Sequence, residues 1–357
     1  MQPSKPTPPR GRGIASNPRN RFEQTEYIPE PDSGIHDPNN KVQTRYFEDH
    51  TSDIISRNNS PDIPFSVGVN PYRGCEHGCV YCYARPTHEY LGFSSGLDFE
   101  TKIMFKPKAP ELLRKALGSR RWKPEPIAMS GVTDPYQPVE RSLKITRGCL
   151  EVICAARQPV ALITKNALIQ RDIDLLAELA KWQCVVVNIS ITTLDSRLGR
   201  LMEPRTASPR QRLETVSKLR AAEIPVGVMI APVIPGLNDE EIPSIIESAA
   251  SAGALWFNTV PIRLPYSVKD VFRDWLQLNF PNKYEKIVSR IKDMRGGKLN
   301  DPNLRSRMRG EGIWPEQIKA LRLLGLRRAK VVPYKATLTS EHFQPPESNG
   351  QMRMNFM

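Results

Sequence analysis

Cys75, Cys79 and Cys82 stand within eight residues, in Gly74-Cys75-Glu76-His77-Gly78-Cys79-Val80-Tyr81-Cys82. Three thiolates on so short a segment suit a soft metal centre, iron–sulfur or zinc. The C-x3-C-x2-C spacing fits neither common ferredoxin pattern, and no fourth cysteine follows nearby. Zinc would want a fourth ligand, for which His77 and His88 are available. A cluster on three thiolates would leave one iron open, a place for a substrate to bind. Gly74 and Gly78 permit the tight backbone that converging thiolates require. The remaining cysteines, Cys149, Cys154 and Cys184, read as small buried hydrophobes. Six cysteines in 357 residues are too few for a disulfide scaffold.

Regular elements must carry this loop. Short β-branched runs occur at Phe65–Asn70, Pro126–Ser130, Val160–Thr164, Cys184–Thr192, Val226–Ile234 and Leu255–Val260. Several are apolar without strict alternation, as in strands covered on both faces. Helices lie between them. Arg171–Lys181 places Ile173, Leu176 and Leu179 on one face. Ser208 can cap a helix whose first turn takes Pro209, with Leu213, Val216 and Leu219 facing inward. Glu241–Ala252 must keep Pro243 in its first turn. Six βα units in series predict a parallel sheet, either curved as a barrel or open and doubly wound. The cysteines follow the first strand directly, which puts them at the carboxyl end of the sheet, where such folds do chemistry. Beyond Val260, Lys269–Leu278, Lys283–Met294 and Pro315–Leu324 read as helices of an extension packed beside the core.

The carboxyl ends of the other strands supply further candidates. Pro135 and Pro138 force a turn that can aim Thr133 and Asp134 into the mouth of the sheet. Lys165 ends the third strand, where it can reach water or neutralise an anion. Ser190 and Thr192 share one alternation of the fourth strand, and both hydroxyls can face a ligand. Arg205 either pairs with Glu203 as a surface ion pair or faces the same ligand.

With Tyr81 as the aromatic residue before Cys82, C-x3-C-x-aromatic-C after a first strand resembles the radical S-adenosylmethionine (SAM) superfamily. The resemblance covers roughly residues 60–265. It implies a partial (β/α)6 TIM-like barrel and a 4Fe–4S cluster on Cys75, Cys79 and Cys82. It implies SAM on the open iron, cleaved by one electron to methionine and a radical that takes hydrogen from a substrate. Carried over residue by residue, it implies SAM contacts from Tyr81, Thr133, Asp134, Lys165, Ser190 and Arg205. An electron donor of flavodoxin or ferredoxin type is implied in turn. Cys82-Tyr83, Thr133-Asp134, Thr164-Lys165 and Ile189-Ser190 resemble in particular the spore photoproduct lyases and the wider group named for DNA repair photolyases. Those lyases return a hydrogen atom from a cysteine just before the turn. Here Ser130, Gly131 and Val132 stand at that place, so the specific lyase reaction does not carry over.

Charge and composition bound the rest. Net charge is +13 and the pI about 9.5. Residues 1–22 carry five basic and no acidic groups, and residues 304–335 carry nine basic and two acidic ones. Basic ends on a nearly neutral body are compatible with a polyanion, and nucleic acid is the expected substrate. A protein or small-metabolite substrate is one alternative. A non-catalytic iron–sulfur or zinc protein that binds nucleic acid is another. No run approaches the ~18 apolar residues of a membrane helix, and the start lacks an apolar h-region. A cytoplasmic protein with no membrane partner is expected. The expected organisation is a disordered Pro-rich basic segment at 1–45, a core at 60–265, a helical basic extension at 266–338 and a flexible tail at 339–357.

Overall fold

The β-branched runs form the strands expected of them in the computed structural model, which describes residues 7–23, 42–129 and 131–346. The strands are β1 (Val67–Val69), β2 (Ile127–Met129), β3 (Val160–Thr164), β4 (Val185–Ser190), β5 (Val226–Val233) and β6 (Trp256–Pro261). Each pairs in parallel with the next in sequence. The order never reverses, so there is no switch point of the doubly wound kind. Successive right-handed crossovers then keep the helices on one face of a curving sheet. Among the described residues no ladder joins β6 to β1, and the sheet is open along that seam. An antiparallel strand, Ile55–Arg57, covers the free edge of β1. β1 and β2 are buried on both faces, which explains their unbroken apolar runs.

The helices start where their caps predict. Ser208 accepts from the Gln211 amide, Gln211 returns a bond to the Ser208 amide, and Pro209 opens the helix Pro209–Ala221. Such a cap contributes about 0.5–2 kcal/mol. Pro243 lies in the first turn of Ile242–Ser251. In the extension, Ile313–Arg328 lies against Ile242–Ser251, with Gly325 pressed close to Pro243 and Ile246. Among the described residues, no helix is long and apolar enough to cross a membrane.

Two expectations change. Residues 7–23, expected to be disordered, are placed on the core. Buried Arg12 donates to the carbonyls of Glu100 and Val42 and to the Thr44 hydroxyl at 2.8–2.9 Å. Asn20 donates to the carbonyls of Glu89 and Phe93. Aliphatic content understates such a segment, because polar side chains order it by satisfying backbone carbonyls elsewhere. Residues 1–6 and 24–41 of that expectation lie outside the described residues. The tail is likewise fixed as far as residue 346: the Thr339 amide donates to Gln183 and the Gln344 amide to Ala156. Residues 347–357 lie outside the described residues.

Candidate functional site

The cysteine loop leaves β1 and is held from three sides. The Cys75 amide donates to the Phe99 carbonyl and the Val80 amide to the Met202 carbonyl. Thr133 Oγ1 donates to the Gly74 carbonyl at 2.6 Å, and Gln137 bridges Gly74, Thr133 and the Glu76 amide. Gly74 and Gly78 sit at φ +78° and +68°, and a Cβ on Gly78 would fall 2.8 Å from Glu100 Oε2. Only glycine serves at both conditions.

All six cysteines are free thiols. Burial pushes the thiols of Cys75, Cys79 and Cys82 upward, and for Cys75 the neighbours Asp134, Cys79 and Cys82 push further. Three thiols that repel one another's ionisation in a buried loop need a cation to become thiolates. The donor set fits an iron–sulfur cluster, in which soft thiolates are held by iron. It does not fit a zinc ion completed by histidine. His77 lies with Nδ1 3.4 Å from Asp134 and Nε2 3.1 Å from Asn166. His88 Nε2 bonds the Lys102 carbonyl, and its ring sits between Phe93 and Phe99. Among the described residues, no three His, Cys, Asp or Glu side chains converge on one ion.

Behind the loop lies a buried polar layer centred on Glu203. Tyr81 and Thr192 donate their hydroxyls to Glu203 Oε1, and the Arg212 guanidinium closes on Oε2. Lys165 Nζ lies 4.0 Å from the same carboxylate and 3.3 Å from the Ala231 carbonyl. Burial would raise the Glu203 carboxyl, but Arg212 and Lys165, helped by the two hydroxyls, hold it down at about 2. Arg212 also donates to the Ser190 carbonyl at 2.9 Å. Strands β4 and β5 and the loop to the next helix are thereby locked beneath the cysteines.

Lys165 and Ser190 are brought to this site. Lys165 turns inward, with Nζ 5.8 Å from the Tyr81 ring centroid. The Ser190 hydroxyl makes no hydrogen bond among the described residues, so it is free for a ligand. The other candidates are bonded within the protein. Asp134 does not project into the mouth: it accepts from Thr164 Oγ1 and from the amides of Lys165 and Tyr136, tying β2 to β3. These bonds and His77 outweigh burial and lower its carboxyl below the usual range. Thr133 serves the cysteine loop, as above. Arg205 pairs with Glu76 at 3.2 Å rather than with Glu203, whose partner is Arg212. Tyr81 gives its hydroxyl to Glu203 and presents only its ring.

Sequence reasoning missed Glu76, Arg85, Glu100 and Arg212. Glu76 accepts from Thr44, Tyr46 and the Val139 amide and pairs with Arg205. Fully buried Arg85 bonds the Cys79 carbonyl at 3.0 Å and Glu100 at 2.5 Å. A signal existed for Glu76: an acid between two cysteines that must hold negative charge needs a cation close by.

The cysteines Cys149, Cys154 and Cys184 lie elsewhere. The first two ride the outer helix Ile145–Ala156, and Cys184 precedes the amino end of β4, its Sγ on the Arg157 and Trp182 carbonyls. None stands at the mouth.

The seam between β6 and β1 is crossed by side chains at its carboxyl end. Arg307 grips Asp62 with two bonds of 2.5 and 2.7 Å. Arg263, just beyond β6, lies 5.8 Å from the ring centroid of Tyr83, whose hydroxyl bonds the Gly131 carbonyl.

Comparison with known proteins agrees with this geometry. A family model described as the Radical SAM superfamily matches residues 69–249. An uncharacterised protein of Mycobacterium tuberculosis (strain ATCC 25618 / H37Rv) is 36% identical over 78% of this chain and 84% of its own length. The sporulation killing factor maturation protein SkfB of Bacillus subtilis (strain 168) is 28% identical over 55% of this chain and 42% of its own. A solved mutant of spore photoproduct lyase superposes with a TM-score of 0.53 at 15% identity, covering 79% of each chain. Another, with bound AdoMet and dinucleoside spore photoproduct, gives 0.50 at 14% identity, covering 76% of each. At these identities the two structures share the fold. A three-cysteine loop at the carboxyl mouth of an open six-stranded parallel sheet, matched by that family model over half the chain, places the protein: it is an enzyme of the radical SAM superfamily.

Proposed function

We propose that the enzyme holds a 4Fe–4S cluster on Cys75, Cys79 and Cys82, cleaves SAM reductively, and directs the radical chemistry at a nucleic acid. The observation that carries this reading is the trio of free thiols, Cys75 and Cys79 buried and Cys82 half-buried, with the Lys165 ammonium acting on Cys79 and Cys82. When bound, the cluster supplies one electron and an open coordination site. The chain's own residues do the rest. Lys165 offers a desolvated ammonium for the SAM carboxylate. Ser190 offers a free hydroxyl to the ribose or carboxylate. Tyr81 offers a ring face, and Arg205, anchored on Glu76, a guanidinium at the rim. Thr133 and Asp134 act one step back, fixing the loop and the β3 end that carries Lys165.

Two observations support nucleic acid as substrate: the basic ends of the chain, and the shared fold with a lyase solved with a dinucleoside photoproduct. The reaction differs from that lyase in one respect. Cys149, Cys154 and Cys184, the cysteines outside the cluster loop, lie away from the mouth and are not placed to return a hydrogen atom. The expected electron donor is of flavodoxin or ferredoxin type, and the expected compartment is the cytoplasm.

The test is isotope transfer. Reduced, reconstituted enzyme is given SAM with deuterated single- and double-stranded oligonucleotides. Deuterium in 5′-deoxyadenosine supports the reading. No deuterium transferred from either oligonucleotide, with SAM still cleaved, overturns the substrate assignment.

A further inference from the structure

The loop after β6 and the turn after Cys82 run side by side along the open seam, and they meet at two places. At the inner one, Arg263 faces the ring of Tyr83, which is 53% exposed. Arg263 is distinctive. Its Nε is buried without a hydrogen-bond partner, and Nη1 donates only to the Met308 thioether at 3.0 Å. The nearby Asp62 is taken by Arg307. Burial and the neighbouring Arg307 both lower the Arg263 guanidinium from its ordinary value. A desolvated guanidinium without its own carboxylate is costly to keep and fits a site awaiting an anion.

At the outer place, Phe22, Tyr90 and Tyr266 expose 55%, 70% and 61% of their surfaces. Phe22 and Tyr90 lie 4.9 Å apart. The Arg21 guanidinium lies 4.6, 5.4 and 3.8 Å from the ring centroids of Phe22, Tyr90 and Tyr266, while Glu89 holds its Nε at 3.1 Å. Burying none of these rings deeply forgoes their ordinary contribution to a core. Ser267, next to Tyr266, pins this place: its hydroxyl stands 2.6 Å from that of Ser95 and 3.3 Å from Glu89. Exposed rings beside guanidinium groups are the makeup of a single-strand binding track: bases stack on rings and phosphates meet arginines.

We propose that a single-stranded nucleic acid lies along this seam, with a phosphodiester on Arg263 at the mouth and bases stacked on the Phe22–Tyr90–Tyr266 platform. The proposal rests on the nucleic-acid reading above and adds the strandedness and the path. It also gives the amino-terminal segment a part in binding, since Arg21 and Phe22 belong to it.

The test is binding of a fluorescent 12-nucleotide single strand, and of the same sequence as a duplex, across a salt series. Iron content and melting temperature serve as controls of folding. Tyr90→Ala with Tyr266→Ala should weaken single-strand binding about tenfold or more at every salt concentration, and Tyr90→Phe with Tyr266→Phe should restore it. Arg263→Gln should flatten the slope of log affinity on log salt by about 0.7. The duplex should bind more weakly than the strand. Equal strand affinity in the parent and the double alanine variant overturns the track and leaves the nucleic-acid reading standing. Tighter binding of the duplex overturns the strandedness. No binding of either nucleic acid at low salt overturns both readings together. Should the alanine pair fail to fold, Tyr266→Ala alone, at an exposed ring, decides the same question.

Discussion

The Arg212 guanidinium closes on the Glu203 carboxylate in a layer where both side chains are almost wholly buried. Glu203 in turn takes the hydroxyls of Tyr81 and Thr192 and faces Lys165. One ion pair therefore sets the floor on which the cysteine loop and the β3 and β4 ends rest.

Arg212→Met leaves Glu203 buried with only Lys165 as a distant counter-charge. Breaking a buried pair on one side costs about 3–5 kcal/mol. In the parent, Arg212 and Lys165 hold the carboxyl down at about 2, below its ordinary 4.5. A depressed carboxyl contributes stability that is present above about pH 4.5 and is lost as pH falls toward 2. Without Arg212, burial drives the same carboxyl upward, and protonation relieves the variant. Denaturation at pH 7 and at pH 4 should show a stability gap between parent and variant that narrows on acidification. A gap that widens would remove Glu203 as its cause.

Lys165→Ala tests the SAM contact. If the ammonium meets the SAM carboxylate, the variant loses about 1.5–3 kcal/mol, or roughly ten- to a hundredfold in affinity, with normal iron content. Calorimetric titration of SAM checks it. Equal affinity would leave Lys165 with the role of bridging Ala231 and Glu203.

Arg12→Ala removes the three bonds that fasten residues 7–23 to Glu100, Val42 and Thr44. A loss of about 1.5–3 kcal/mol is expected, with faster cleavage of the first 23 residues in limited proteolysis. The consequence reaches the cysteine loop, because the Gly13 amide bonds Glu100 Oε2 and a Cβ on Gly13 would stand 2.0 Å from the Gly78 carbonyl. Unchanged proteolysis would mean that Arg12 is dispensable to the segment.

The arginines 305, 307 and 309 divide. Arg307 holds Asp62 across the seam, whereas Arg305 and Arg309 are exposed. Arg307→Ala should lower the melting temperature. Neutralising Arg305 and Arg309 together should leave it unchanged and flatten the salt dependence of oligonucleotide binding by up to about 1.4–1.8 units. The reverse pattern would assign the nucleic-acid contact to Arg307.

Periodicity and caps made the scaffold legible. Six apolar runs became six parallel strands, and Ser208, Pro209 and Pro243 marked helix starts. The cysteine spacing pointed to the mouth before any coordinates. Less legible were partners brought together across long separations. Glu203 lies two residues from Arg205, so the nearer arginine looked like its mate, yet Arg212, one turn into the next helix, reaches it. Arg85 and Glu100 are invisible as a pair, because neither lies on a periodic face. The amino-terminal segment resisted reading for the same reason: its order comes from Arg12 and Asn20 meeting backbone carbonyls, and the Gly13 amide meeting the Glu100 carboxylate, 30 to 90 residues away.

The central claim is a redox-active cluster on three cysteines that cleaves SAM. Anaerobic reconstitution followed by iron and sulfide assay, visible absorbance and dithionite-driven SAM cleavage tests it most directly, on the parent and on the Cys75→Ala, Cys79→Ala and Cys82→Ala variants. The account predicts about four irons and four sulfides per chain, thiolate-to-iron absorbance, and 5′-deoxyadenosine with methionine from the parent. It predicts loss of all three in each variant, with the melting temperature largely kept because the cysteines sit on a loop. One zinc per chain with no iron, or unchanged iron and SAM cleavage in the variants, would contradict it.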